Sequence, residues 1–149
     1  MFKKHLILLA VVWFCFSCGA DEPKIEYWPN GKKKLEVNIK DGKSNGKLTL
    51  WYESGAIYEE YEMKDGKKNG KRTNWREKGT KAYECDYKDD MSNGKITFWS
   101  EKGIKTGERE LKDDKLNGKL IEWDANGKIT IDQEFKDDVM IKDNLAPTK

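Results

Sequence analysis

Hydrophobic residues between Asp41 and Lys64 fall into two short runs separated by polar stretches, and the arrangement returns along most of the chain. Lys47-Leu48-Thr49-Leu50-Trp51-Tyr52 is rich in β-formers and alternates, with Thr49 and Trp51 on one face and Leu48, Leu50 and Tyr52 on the other. Glu53-Ser54-Gly55 reverses the chain, and a second strand runs from about Ile57 to Lys64. The stretch DGKSNG ahead of the first strand reads as a six-residue polar turn, since Asp-Gly and Asn-Gly supply positive-φ positions. Each unit therefore predicts a β-hairpin, and consecutive hairpins predict a continuous antiparallel meander.

The units keep strict time. Asn-Gly recurs at Asn45-Gly46, Asn69-Gly70, Asn93-Gly94 and Asn117-Gly118, a spacing of 24 residues. Gly31, Gly55, Gly79, Gly103 and Gly127 share that period, as do Trp51, Trp75, Trp99 and Trp123, with Tyr27 in the equivalent place of an incomplete first unit. Turn dipeptides follow it too: Asp41-Gly42, Asp65-Gly66, Asp89-Asp90, Asp113-Asp114 and Asp137-Asp138. Coincident series at one period mark a repeat protein. The array spans residues 25–138, about five units, and residues 139–149 form a tail ending in a last partial strand. Ten strands at roughly 4.8 Å spacing give a ribbon about 48 Å long.

Odd positions of the second strands define the predicted buried face: Leu35, Val37 and Ile39, then Ile57, Tyr61 and Met63, then Tyr83, Cys85 and Tyr87, then Leu111, then Ile129, Ile131 and Phe135. Even positions carry Glu60, Glu62, Glu84, Asp86, Glu108, Glu110, Asp132 and Glu134, a solvated acidic ladder. Lys105, Gly107 and Arg109 interrupt the apolar face and predict a bend, a groove or a soft spot. The four tryptophans, Trp51, Trp75, Trp99 and Trp123, are either the large residues that cover a thin core or a binding stripe.

A different pattern occupies residues 1–17. Met1 to Lys4 form a positive region and Leu6 to Phe16 an uncharged apolar run, the design of a signal peptide and too short for a membrane span of roughly 20 residues. Cys15-Phe16-Ser17-Cys18-Gly19 resembles a bacterial lipobox, with small Ser17 and Gly19 flanking Cys18 and Cys15 where leucine is usual. That resemblance implies cleavage before Cys18, lipid modification of its thiol, and a protein anchored to a bacterial membrane on its periplasmic or surface side. Residues 19–24 are then a short linker. The alternative is an ordinary secretory signal cut near Ser17 or Ala20.

Removing this segment changes the chemistry on offer. Without Lys3 and Lys4 the 29 basic residues become 27, against 27 acidic ones, and a neutral chain is a poor binder of nucleic acid or anionic lipid. The single histidine, His5, leaves as well, and with it any His-based charge relay or His-ligated metal site. The acidic residues are spread along strands, unlike a compact calcium loop, so neither metal nor cofactor is expected. Once Cys15 and Cys18 are accounted for, Cys85 has no disulfide partner and reads as a small buried hydrophobe.

The segments NGKLTLWYESG, NGKRTNWREKG, NGKITFWSEKG and NGKLIEWDANG, with YWPNGKKKLEV as the first unit, resemble the MORN-repeat variant family, including bacterial proteins labelled YwqK-family antitoxins. The resemblance implies β-hairpins stacked into an extended sheet that scaffolds protein or membrane contacts, with no catalytic residue set. The antitoxin label implies a protein partner, although export would place this chain across the membrane from a cytoplasmic toxin. Choline- or glucan-binding repeats of cell-wall proteins are a second, poorer resemblance, resting on short hairpins with Trp and Tyr. The expectation is a non-enzymatic envelope lipoprotein whose sheet binds an unidentified protein, with an antitoxin-like role or a glycan-binding role as alternatives.

Overall fold

The computed structural model describes residues 21–147; the expected signal segment 1–17 and the lipidation site Cys18 lie outside the described residues. Eleven strands form one all-β sheet in chain order, β1-β2-β3 through to β11, each antiparallel to its neighbours. They are β1 (Lys24–Tyr27), β2 (Lys33–Lys40), β3 (Lys43–Trp51), β4 (Ile57–Lys64), β5 (Lys67–Trp75), β6 (Lys81–Lys88), β7 (Met91–Trp99), β8 (Lys105–Lys112), β9 (Lys115–Trp123), β10 (Ile129–Lys136) and β11 (Val139–Asp143). The last strand lies in the tail, so the ladder continues to Asp143.

Two turn types alternate. Odd strands β3, β5, β7 and β9 run into three-residue loops such as Glu53-Ser54-Gly55, closed by the Tyr52 N–H donating to the Ala56 carbonyl at 2.9 Å. Gly55 has φ 92° there, a conformation that costs glycine little. Even strands end in two-residue turns in which both residues have positive φ, as at Asp41 (50°) and Gly42 (71°) or Asp89 (51°) and Asp90 (71°). Aspartate accepts this strain where its side chain also works. The Oδ1 atoms of Asp90, Asp114 and Asp138 accept the N–H of Lys68, Ser92 and Leu116 at 2.7–2.8 Å.

The Asn-Gly pairs are not in these turns, contrary to the six-residue turn read from the sequence. The Asp-Gly or Asp-Asp pair alone reverses the chain, and Asn-Gly sits inside the nine-residue odd strand as a bulge. Opposite it the register jumps: Val37 faces Leu48, while Ile39 faces Ser44. A bulge frees a backbone N–H, and a carboxylate from the preceding strand takes it. Glu62 Oε2 accepts from Lys71 N–H at 3.2 Å, and Glu110 Oε2 accepts from Lys119 N–H at 3.0 Å. The carboxylate lies over the glycine so closely that a Cβ on Gly70 would stand 2.9 Å from Glu62 Cβ, and one on Gly118 2.9 Å from Glu110 Cβ. Part of the acidic ladder thus caps bulges.

Register divides the side chains between two faces. One face carries the row Val37, Leu48, Tyr61, Arg72, Cys85, Ile96, Arg109, Leu120, and beside it Leu35, Leu50, Glu59, Asn74, Tyr83, Phe98, Gly107, Glu122, Ile131. Val37, Cys85 and Leu120, the buried hydrophobic residues, all lie on the first row. Burial pushes the Cys85 thiol up, away from its reactive thiolate. The other face alternates Thr and Glu: Thr49, Glu60, Thr73, Glu84, Thr97, Glu108. Lysines one position along bind these glutamates diagonally, Lys47 to Glu60 at 2.6 Å and Lys95 to Glu108 at 3.3 Å, and the threonines beneath are buried. A second bulge near each Trp skips one residue, so Ile57 and Ile129 leave the apolar face expected for them and stand opposite Trp51 and Trp123.

Candidate functional site

The four tryptophans of the periodic series each end an odd strand: Trp51 in β3, Trp75 in β5, Trp99 in β7, Trp123 in β9. The structure brings all four into one row on the Thr/Glu face, and all four are half-buried. Their ladder partners are Ile57, Lys81, Lys105 and Ile129, each the first or second side chain after a three-residue loop. Lysines lie against three of the rings, Lys33 Nζ at 5.7 Å from Trp51, Lys81 Nζ at 5.1 Å from Trp99 and Lys105 Nζ at 5.7 Å from Trp123. The row is therefore a strip of indoles flanked by cations, a cation–π arrangement. Lys105 also binds Glu108 at 2.6 Å, which holds that carboxyl below the usual carboxylate range.

A second periodic series lies one residue beyond each Trp position and was not singled out in the sequence. Trp28 Nε1 donates to the Trp51 carbonyl at 3.1 Å, Tyr52 Oη to the Trp75 carbonyl at 2.9 Å, and Arg76 Nη2 to the Trp99 carbonyl at 2.7 Å. Three different side chains perform one task, tying a unit to its successor. The signal was legible as a run of long donors at one repeat position, ending where Ser100 and Asp124 are too short to continue it.

At the first loops this series builds an aromatic cleft. Trp28, Leu50, Trp51, Tyr52 and Tyr58 enclose about 380 Å³ together with Lys34 and Glu53. Tyr52 and Tyr58 meet edge to face at 5.0 Å, and Lys34 Nζ lies 5.2 Å from the Trp28 ring. The polar tips of Trp28 and Tyr52 are taken by carbonyls, so their rings offer the cleft mainly apolar surface.

The apolar face holds an ionic cluster that the sequence reading missed. Glu59 is 3% exposed, and its Oε1 accepts from Arg72 Nε at 2.7 Å, Arg72 Nη2 at 2.5 Å, Tyr83 Oη at 3.2 Å and Asn74 Nδ2 at 3.4 Å. Tyr61 donates to Oε2, and Arg72 also reaches Tyr87 Oη at 3.1 Å. Burial, reinforced by the bond to Glu59, holds the Tyr61 hydroxyl well above its ordinary value, and Tyr83 is pushed up to about 12, again chiefly by burial. Burial works against the Arg72 charge, but the bonds to Glu59 and Tyr87 outweigh it and raise the group's proton affinity. The guanidinium also lies 5.0 Å from the Tyr83 ring and 5.3 Å from that of Tyr61. Two units on, Arg109 covers the space over Gly107: it lies 5.1 Å from the Phe98 ring and binds Glu122 at 3.2 Å. Of the expected interruption, Gly107 and Arg109 lie on the apolar face, with Gly107 buried, while Lys105 leaves that face as Ile57 and Ile129 do and stands opposite Trp99.

Comparison with known proteins adds a family. Residues 116–137 match the family described as MORN repeat variant. No curated protein matches the chain. A chain in the crystal structure of accessory secretory protein 1,2 and 3 in Streptococcus pneumoniae is similar at 14% identity and a TM-score of 0.40. The likeness covers 70% of this chain and 19% of that one, so this chain spans about a fifth of that protein's length. The matched segment is one turn of a 24-residue period that runs through eleven antiparallel strands, and the chain carries a MORN repeat variant at residues 116–137 within an all-β repeat fold.

Proposed function

We propose that this chain is a non-enzymatic lipoprotein, anchored to a bacterial membrane through Cys18, whose repeat sheet is a scaffold for a protein partner in the cell envelope. The observation that carries this reading is the row of half-buried tryptophans with lysines interleaved along the Thr/Glu face. It repeats one chemical pattern along most of a sheet about 48 Å long, a length suited to a protein surface. The titratable residues support a binding role: Lys and Glu are paired with one another along the strands, as in Lys47 with Glu60 and Lys81 with Glu84. The neutral charge after residue 17 points to short-range contacts instead of long-range attraction.

In-cell crosslinking from membranes carrying the full chain tests the reading. Wild type is expected to capture a defined protein, and Lys33→Gln/Lys81→Gln/Lys105→Gln to lose it with only a small drop in melting temperature, since the ion pairs these lysines make with Glu36, Glu84 and Glu108 are surface pairs. Capture that ignores the triple substitution contradicts the assignment of this face. Retention on cell-wall polysaccharide in place of protein capture would favour the glycan-binding alternative.

A further inference from the structure

The two ends of the sheet are halves of one repeat strand. In the 24-residue frame, four-residue β1 occupies the positions of Leu48–Trp51, and five-residue β11 those of Lys43–Lys47, the closing and opening parts of a nine-residue odd strand. Their pairings agree next to the turns, and past the bulge β11 departs by one residue, Gln133 facing Asp143 where the internal frame sets Val37 against Leu48. Lys24 faces Val37 and Glu26 faces Leu35, as Leu48 faces Tyr61 and Leu50 faces Glu59. Val139 faces Lys136 and Met140 faces Phe135, as Lys43 faces Lys40 and Ser44 faces Ile39.

One backbone bond recurs at every internal junction. The N–H of Gly66 donates to Ser44 O at 2.8 Å, and those of Asp90, Asp114 and Asp138 donate to Lys68, Ser92 and Leu116 O at 3.0 Å each. Extending the series by one unit in each direction needs Gly42 as donor and Met140 as acceptor, and in a single chain these stand at opposite ends of the array. β11 also carries exposed apolar side chains on its open edge: Val139 is 64% exposed, Met140 51% and Ile141 60%. An uncovered apolar edge strand is a template for another strand, and repeat arrays that stay monomeric close such ends with polar caps.

We propose that copies of this chain join head to tail. β11 of one copy and β1 of the next lie end to end as one composite strand between β10 of the first copy and β2 of the second. Met140 O accepts the N–H of Gly42 from the next copy, repeating the junction bond. The seam sets Asp143 against Lys24, an acid against a base. Two places must be vacated at the seam: Asn144, whose N–H and Nδ2 both bond Asp132 at 2.8 Å, yields to the incoming β1, and Asp21, whose Oδ1 accepts the Asp41 N–H at 2.8 Å, yields to the incoming β11. Contacts of this kind are heterologous and do not close, so joining continues into a filament held by main-chain bonds. It depends neither on the lipid nor on the envelope partner.

Two blocked variants of the full chain test this, held in a non-ionic detergent and followed by sedimentation. Met140→Pro leaves the accepting carbonyl in place and blocks the β11 edge with its ring: the equivalents Lys68, Ser92 and Leu116 turn both N–H and C=O toward the following turn, so the ring on the Met140 nitrogen stands where the next copy's turn must pack, and the ladder to β10 is spared. Ile25→Pro blocks β1. Wild type is expected to grow past two copies with concentration, each variant alone to remain a single copy, and their equimolar mixture to form pairs that grow no further. Ile141→Lys serves the same end if a proline variant loses its sheet signal in circular dichroism. A wild type that stays single at all concentrations, a Met140→Pro protein that still pairs with itself, or a mixture that does not pair overturns the proposal.

Discussion

Arg72→Leu removes the cation from a carboxylate that water barely reaches. Glu59 is 3% exposed, and Arg72, itself 22% exposed in its side chain, supplies two of the contacts to Oε1. Tyr61, Tyr83 and Asn74 remain as donors, but none carries charge. Stranding one partner of a buried pair costs about 3–5 kcal/mol. A domain of this size has about 5–15 kcal/mol in all. The other units show what a repaired row looks like: Arg72 occupies the place of Leu48, Ile96 and Leu120, and Glu59 that of Leu35 and Ile131. Glu59→Leu combined with Arg72→Leu should therefore return to within about 1–2 kcal/mol of wild type, the residue being the hydroxyls and amide that lose their acceptor. The double-mutant cycle should show coupling of at least about 2 kcal/mol. Urea unfolding followed by tryptophan fluorescence and by far-ultraviolet circular dichroism measures it, with coincident transitions as the check on two-state analysis. An Arg72→Leu cost below about 1 kcal/mol, or a double variant equal to the sum of the singles, would refute the cluster as a unit of stability.

Alkaline titration should reveal the same cluster. Tyr61 and Tyr83 hold their protons above the ordinary tyrosine range, so the stability they contribute is complete below about pH 10 and is lost as pH rises through the folded values. Phenolate absorbance should show these groups ionising late and together with unfolding; early ionisation in the folded protein would remove them from the cluster. At Gly79, with φ +84° and open space where a Cβ would go, Gly79→Ala should cost only backbone strain, about 1–2 kcal/mol. Gly70→Ala should cost more, because its Cβ meets Glu62, and equal melting temperatures for the two variants would contradict the bulge-cap reading. Tyr52→Phe should lose the bond to the Trp75 carbonyl and about 0.5–1.5 kcal/mol, measured by thermal unfolding, and an unchanged midpoint would show that this tie between units is idle.

The period, the hairpins and the single-sheet meander were legible because turn residues and β-formers recur in step, and local chemistry agrees with the global fold at every unit. What escaped was the internal grammar of the strand. Asn-Gly has the chemistry of a hairpin turn, and nothing in the sequence says that Asp41-Gly42 turns the chain unaided and leaves Asn45-Gly46 to bulge. That bulge explains the placement of Glu62 and Glu110, which composition alone assigns to a solvated ladder. A one-residue shift near the loops moves Ile57 and Ile129 across the sheet, and strict alternation is blind to such a shift. The Glu59 and Arg72 pair was visible in principle, as opposite charges at diagonal positions of two adjacent rows whose equivalents in several other units are apolar.

The mass of the mature amino terminus of the full-length chain, expressed in a bacterium and taken from its membranes, tests the proposed function most directly. A diacyl- or triacyl-modified Cys18 is the predicted result, with Cys18→Ala releasing the protein from the membrane fraction. An unmodified Met1 on a protein recovered from the cytosol would contradict it and move the search for a partner to the cytoplasm.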